Sequence, residues 1–465
     1  MPSLPVHLMT PFLAAVSITA LAVCLRCQGE QPPAAPPLGD TAGVAAAADQ
    51  IVRHGITWRF DQKYVVGAFA NGDPWVLGPV RIVEILPACV EVDGRVRHGS
   101  MIDPDPASTL QGYDSSMFDD PKRERYRHEL NVAIGIRAGR ALQLEPGKSL
   151  VSVESRGSDP KLSPNLKTAA VLTCLATTPP PDAFRPPYVR GDKTVRHRVV
   201  DLDFAVLQRV KPVLETPPIE VVAKGFERLW LDHFPEWPVR YSHPLDNMPD
   251  YGRDMAALVG SGALALQLDV PNDKKRELYV RLVQMGIDLH ACLRGGCRWQ
   301  GIGGHGSGRK FPILLAGKAL ADERMLAIGR DYVSKLRDGD SIGAYFAEDG
   351  QTFYVTETSV GVWNGGHGGY TREHDGLPEW GFSHCDHPES DNAKWDADPY
   401  RRCCTANGWL GSTLAARMMG LREVWNHQAH FDYLDRYMQV KHSDGWHRAW
   451  FGWHAAMWDA YRSNF

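Results

Sequence analysis

The stretch Trp299–Lys310, WQGIGGHGSGRK, sets one histidine among five glycines and ends in two adjacent cations. Gly301, Gly303, Gly304, Gly306 and Gly308 permit positive φ and the close approach of a ligand. An apolar helical pattern, FPILLAGKALAD, follows directly. The free N–H groups at its start and the helix dipole therefore face incoming negative charge. Arg309 and Lys310 add two cations there. His305 lies among residues too small to cover it, and an exposed imidazole titrating near neutrality suits a general base. The loop lacks GxxxxGK[ST] and follows no βαβ strand, which excludes a P-loop.

Three further clusters carry reactive residue types. Residues 363–391 hold Trp363, His367, Tyr370, Arg372, His384 and His387, and WNGGHGGY repeats the Gly-Gly-His-Gly pattern of the first loop. A tyrosine there can protonate a leaving oxygen, and Arg372 would depress its pKa. In DPYRRCCTANGWLGSTLAARMMG, Tyr400, Arg401 and Arg402 stand at a predicted helix start, where cations oppose the dipole and imply a partner anion. That anion is a protein carboxylate such as Asp396 or Asp398, or a substrate carboxylate held in a bidentate way. Asn407 lies one to two turns further in and can hydrogen-bond a carboxyl group. In RYSHPLDNMPDYGRD, Asn247, Tyr251 and Arg253 precede another helix. His384, His387, Cys403 and Cys404 could be read as metal ligands, but their spacing matches no common zinc pattern; the expectation is no metal and no cofactor.

These parts fit β-elimination from a uronic acid better than hydrolysis. Elimination requires the sugar carboxylate to be neutralised, a base for the C5 proton and an acid for the departing oxygen. His305 supplies the base, Tyr370 or Tyr400 the acid, and Arg309, Arg401 or Asn407 the neutralising group. Trp299 and Trp363 offer faces on which sugar rings stack, and Lys310 a further cation. A glycosidase needs two positioned carboxylates, and no Asp or Glu stands out by its context.

The elements that must position these residues change character along the chain. Residues 56–210 contain short β-branched and aromatic runs broken by turn residues, among them SLVSVES, TAAVLTCLA, LNVAIGI and HRVVDLDFAVLQ, which predict a β-sandwich. Near residue 217 the period becomes helical, with helices expected over 251–268, 311–322, 323–337, 401–419, 428–440 and 449–462. In DKKRELYVRLVQMGIDLHACL the apolar residues fall on one stripe. The expected fold is α+β, an antiparallel β-sandwich over 51–210 followed by an α/α toroid (an incomplete α/α barrel) over 211–465. A Gly- and aromatic-rich region between 340 and 400 is the expected functional loop.

Residues 11–25 form an apolar run of signal-peptide length, too short for a comfortable membrane span, and a Pro/Gly/Ala linker follows. The expectation is a signal peptide over 1–27, a disordered linker over 28–50, and export to the periplasm, the medium or a lipid anchor at the cell surface. Net charge is -4, which gives no electrostatic case for nucleic acid. Of 14 tryptophans, 12 lie after residue 200, which points to an aromatic-rich site in that half. Seven cysteines remain beyond the leader, and Cys292 and Cys297 are close enough in sequence to pair if the turn allows.

The strings GGHGSGRKFPILLAGKAL, GLPEWGFSH and YRRCCTANGWLGSTLAARM resemble a group of exported bacterial α/α-toroid proteins similar to polysaccharide lyases acting on alginate or glucuronan. The resemblance covers mainly residues 220–465. It implies an acidic polysaccharide substrate, His and Tyr as proton-transfer groups, and Arg or Asn beside the uronate carboxyl. The alternatives are an α/α-barrel glycoside hydrolase and a non-catalytic glycan-binding surface protein.

Overall fold

The computed structural model describes residues 45–118, 125–159, 164–235, 239–248, 252–301, 304–334, 344–357, 370–381, 405–439, 448 and 450–465. Asp40–Phe465 form one compact unit. The N-terminal strands β1 (Ala46–Arg53) and β2 (Ile56–Ala68) meet in a hairpin at His54-Gly55. Both turn residues have positive φ, 52° and 79°, the conformation that matches strand twist in a two-residue hairpin. Next come β3 (Pro74–Leu77), β4 (Val80–Leu86), β5 (Val90–Val92), β6 (Arg95–Arg97) and β7 (Ser100–Ile102). Asp93-Gly94, again with positive φ at both residues, joins β5 to β6 as a separate small hairpin. The strands β8 (Leu142–Leu144), β9 (Lys148–Ser155) and β10 (Leu166–Leu175) complete the main sheet, whose order is β7-β9-β10-β3-β2-β4-β8, with β1 also on β2.

The sheet is mixed, because β10 runs parallel to β3 while its other pairs are antiparallel. It curls into a half-barrel. The 13-residue β2 is the bent member: it pairs with β4 near its start and with β3 near its end, with register shifts in its pairing to β1 and β4. Such irregularities bend a strand and increase its twist.

This arrangement corrects the expected fold: the strands do not form a β-sandwich and the helices do not form a recognisable α/α toroid. The reason lies in the central strands. Leu150, Ala170, Leu172 and Cys174 pack inside the curl with Trp58, Ile82 and Leu144. Val151, Val153, Ala169 and Val171 point to the opposite face and join the helical core. Helices therefore take the face that a sandwich would give to a second sheet. Two of the expected strands are absent as well. LNVAIGI contributes a short helix, Ala133–Arg137, and HRVVDLDFAVLQ forms two 3-10 turns at Val199–Asp201 and Phe204–Val206.

The helices that frame the glycine-rich loop and its surroundings are α1 (Gly252–Gln267), α2 (Asn272–Arg294), α3 (Lys310–Ala319), α4 (Ala347–Gln351, a single turn), α5 (Ala406–Met418), α6 (Gln428–Gln439) and α7 (Gly452–Tyr461). Their unequal lengths, from 5 to 23 residues, do not suit a ring of matched antiparallel pairs. A Cβ on Gly411 of α5 would lie 2.7 Å from Cα of Gly260 of α1, so these helices cross backbone to backbone. Gly286 of α2 lets the Pro312 carbonyl of α3 approach in the same manner. A buried ion network fastens the sheet to α2. Arg185 reaches Asp73 in the β2–β3 turn at 2.7 Å and Asp288 of α2 at 2.5 Å, while Gln284 brackets the Arg185 backbone with two hydrogen bonds. Among the described residues no helix is long and apolar enough to cross a membrane. The expected signal peptide and most of the linker lie outside the described residues.

Candidate functional site

The glycine-rich loop leaves α2 through a tight return in which the Cys297 N–H donates to the Cys292 carbonyl at 3.0 Å. Both cysteines are buried free thiols, so the pairing considered for them is not made. Instead, Cys297 Sγ contacts the Asp232 carbonyl. Trp299 anchors the loop entrance. Its N–H donates to the Tyr345 carbonyl, its indole donates to the Asp232 carbonyl at 3.0 Å, and its ring stacks on Phe346. Fully buried, it offers no face to a sugar in this arrangement.

The loop folds inward rather than opening to solvent. A Cβ on Gly306 would lie 2.0 Å from the Gln300 carbonyl. Gly308, at φ 91°, lies against the backbone of Ala256 in α1. The glycines thus admit neighbouring protein, and His305 is only 2% exposed. This corrects the expectation of an uncovered imidazole.

Arg309 and Lys310 are internal as well. Arg309 donates to Oδ1 of Asp232 at 2.8 and 3.2 Å, and to the carbonyls of His305 and Ser307 at 2.9 and 2.6 Å. One guanidinium therefore holds the loop's shape and ties it to residue 232. Lys310 donates to Asp349 at 2.5 Å and to the Trp425 carbonyl at 2.6 Å, beneath the rings of Phe346 and Trp425. Burial lowers the Lys310 pKa and Asp349 opposes that shift.

Glu348, on α4, meets the loop from the other side. Its Oε1 accepts the Gly308 N–H at 2.6 Å. Its Oε2 is buried and has no hydrogen-bond partner among the described residues. Burial raises its pKa to about 7; bonds from the Gly308 and Glu348 N–H groups oppose the shift and neighbouring Asp349 adds to it. A carboxyl group poised near neutrality can hold or release a proton at physiological pH. Two side-chain amides accompany it. Gln351, one turn on in α4, lies against Gly301, and neither polar atom of its side chain has a partner among the described residues. Asn407, in the first turn of α5, is buried with both amide atoms unpaired among the described residues. Its helix is tied to the loop by Trp409, whose indole donates to Ser307 Oγ at 2.9 Å. Buried amides without partners are rare in native proteins, which sets these two apart from the surrounding core. Asp232, which holds Arg309, has its second oxygen, Oδ2, buried and unpaired among the described residues.

The other expected site residues divide. Tyr370 is buried and donates to Glu379 at 3.4 Å, and Glu379 is also ion-paired with Arg436. Glu379 lies on β12 (Pro378–Trp380), which pairs with β11 (Thr352–Tyr354) directly after Gln351. Tyr370 is thus linked through Glu379 to a two-stranded sheet that begins directly after Gln351. Asn247 is occupied in bracketing the Arg228 backbone. Arg253 stacks on the Trp450 ring at 3.8 Å and pairs with Asp254. Arg372 is exposed, in a 3-10 turn. Tyr251, Trp363, His367, Tyr400 and Arg401 lie outside the described residues, as do His384, His387, Cys403 and Cys404.

The sequence reading missed Glu348, Gln351 and Asp232. A signal for the first two was available: AYFAEDGQTFYV places an acid pair and an amide inside an otherwise apolar and aromatic run. Charged residues in such a run are buried and therefore partnered or perturbed. Asp232, in LWLDHF, has the same context. Comparison with family models, with curated proteins and with solved structures gave no match.

Proposed function

We propose that this chain is a lyase for uronate-containing glycans of the alginate or glucuronan type, working by β-elimination at the glycine-rich loop. The observation that carries the reading is the contact of Glu348 and Gln351 with the loop that bears His305, beside the helix of Asn407, which Trp409 ties to the same loop. Elimination at C5 is slow because the adjacent carboxylate is anionic and its proton weakly acidic. A protonated carboxyl and two side-chain amides are hydrogen-bond donors that stabilise the developing enediolate without bringing a full charge. Glu348, with a pKa of about 7, supplies the protonated carboxyl at and below neutrality. His305 is the candidate base, and Tyr370 or Tyr400 the candidate acid. Arg309 serves this reading as the brace of the loop, a role its four hydrogen bonds support.

One observation favours a second reading, glycoside hydrolysis. Asp232 and Glu348 both border the loop, each with an unpaired buried oxygen. Hydrolysis needs two positioned carboxyl groups flanking the bond to be cleaved. The experiment that separates the readings is incubation of the purified chain with alginate, glucuronan and pectate, followed in the ultraviolet for the conjugated unsaturated uronate that only elimination produces. Its appearance, and its loss in His305→Ala, supports the lyase. New reducing ends without that absorbance support hydrolysis through Asp232 and Glu348. Saturable glycan binding with neither product leaves a glycan-binding protein.

A further inference from the structure

Away from the glycine loop, a cavity of about 260 Å³ opens between the segment Phe184–His197, one face of α2 and the turn at Arg324. It is slightly smaller than the roughly 300–1,000 Å³ typical of small-molecule pockets. Ile287, His290, Ala291 and Arg294 line it at helical spacing, so one stripe of α2 forms its wall. Its surfaces are of two kinds. Phe184, Pro187, Val189, Ile287, Ala291 and Met325 supply an apolar lining. Arg190, Arg196, Arg294 and Arg324 supply guanidinium groups, against a single lining carboxylate, Asp192.

The cations are only partly committed. Arg294 is exposed and has no hydrogen bond or ion pair among the described residues. Arg324 uses Nε and Nη2 on Asp322, Arg196 uses Nη2 on Asp192, and Arg190 uses Nη2 on Asp105. A guanidinium carries five N–H donors, so each of the three retains donors for a further acceptor. Asp192 is satisfied within its own turn by the Thr194 N–H and hydroxyl and by Arg196. Two histidines, His197 and His290, also line the cavity. Burial lowers His290 to about 4, and burial also lowers His197, whose ring contacts Asp322.

We infer that this cavity is a second binding site, for a small organic anion that joins one carboxylate to a compact apolar body, with Arg294 and Arg324 on the carboxylate and the Phe184–Ile287–Ala291 surface against the body. Arginine forks match a carboxylate edge in geometry as well as charge. The apolar lining sets the ligand apart from a bare inorganic anion. The inference does not rest on the glycan reading, since none of these residues belongs to the loop site.

Benzoate is the probe, titrated calorimetrically into the full chain at low salt, with benzyl alcohol and inorganic phosphate as the apolar-only and charge-only comparisons. Benzoate should bind saturably, at least tenfold more tightly than either comparison. Arg294→Ala with Arg324→Ala should weaken it at least tenfold. Ala291→Trp, which fills the cavity without altering charge, should abolish it. Arg330→Ala, an exposed arginine elsewhere, should leave it unchanged. Thermal melts of each variant identify any loss caused by unfolding, and the Arg294→Ala single variant, exposed at a helix end, then serves as the deciding test. No benzoate binding to the wild-type chain, equal binding by folded arginine variants, or phosphate binding as tight as benzoate overturns the inference.

Discussion

The Gly308 N–H donates to Oε1 of Glu348 at 2.6 Å, while Oε2 of the same carboxyl is buried without a partner among the described residues. This contact joins a loop that is conspicuous in sequence to an acid that is not. It has a measurable consequence for pH. Burial raises Glu348 from 4.5 to about 7, so the folded state holds a proton that the unfolded state releases. The associated stability is fully present below pH 4.5 and is lost as pH rises through 7. The full loss is on the order of 3 kcal/mol. Glu348→Gln should remove this dependence, read as urea midpoints from pH 4.5 to 8. An unchanged slope would show that Glu348 does not titrate in that window.

Elimination should follow the same titration. If neutral Glu348 supports the developing enediolate, product formation by the wild-type chain should fall as pH rises through about 7. Glu348→Gln should retain activity there and Glu348→Ala should not. His305→Ala should reduce kcat by roughly 100- to 10,000-fold, the range for a lost general base. A His305→Ala chain with wild-type kcat sinks the assignment.

Arg309 should act on stability more than on chemistry. Arg309→Met leaves Asp232 buried without its partner and removes the brace on the His305 and Ser307 carbonyls. Breaking a buried pair in this way costs roughly 3–5 kcal/mol. Denaturant midpoints of Arg309→Met and Arg309→Lys check this, and a loss below about 1 kcal/mol in Arg309→Met would place Arg309 outside the loop's framework.

The helix crossings should not tolerate a methyl group. A Cβ on Gly286 would lie 2.1 Å from the Pro312 carbonyl, which is backbone and cannot rotate aside. Gly286→Ala should therefore destabilise by about 1–3 kcal/mol, despite the better helix propensity of alanine. A rise in melting temperature would mean that α2 and α3 separate easily.

Acid should weaken the fold through its buried histidines. Desolvation lowers His233 to about 3 and His454 to about 4. Below pH 6.5 the unfolded chain takes up protons that these folded rings refuse, so stability present above 6.5 is lost as pH falls toward the folded values. Each ring contributes about 1.4 kcal/mol per pH unit in that window. His454→Gln, which can keep the bond to Ser261, should flatten the slope. The same slope in wild type and variant would remove His454 from the account.

Much of the helical framework was legible before any tertiary information. Patterns over 251–268, 311–322, 401–419 and 428–440 correspond to Gly252–Gln267, Lys310–Ala319, Ala406–Met418 and Gln428–Gln439. SLVSVES and TAAVLTCLA correspond to β9 and β10. Periodicity is a local property, and these segments bury a face whose spacing their own residues specify. That the loop at His305 takes an unusual backbone path was also visible, because five glycines around one ring carry a conformational cost that folding must offset.

What only the tertiary structure decided is who the neighbours are. The same glycine spacing suits a ligand or the protein's own backbone, and Gln300 and Ala256 take that place. The cations after the loop suit an anionic substrate equally well, but Asp232 and Asp349 hold them. Glu348 was passed over because a carboxylate's pKa is set by desolvation and by partners 40 residues away in the chain, such as the N–H of Gly308. The sandwich and toroid failed for a related reason. Strand patterns report that both faces of β9 and β10 are buried, but not that one face meets helices and the other its own curl. Local residue order sets the elements; long-range packing and the low dielectric it creates set the chemistry.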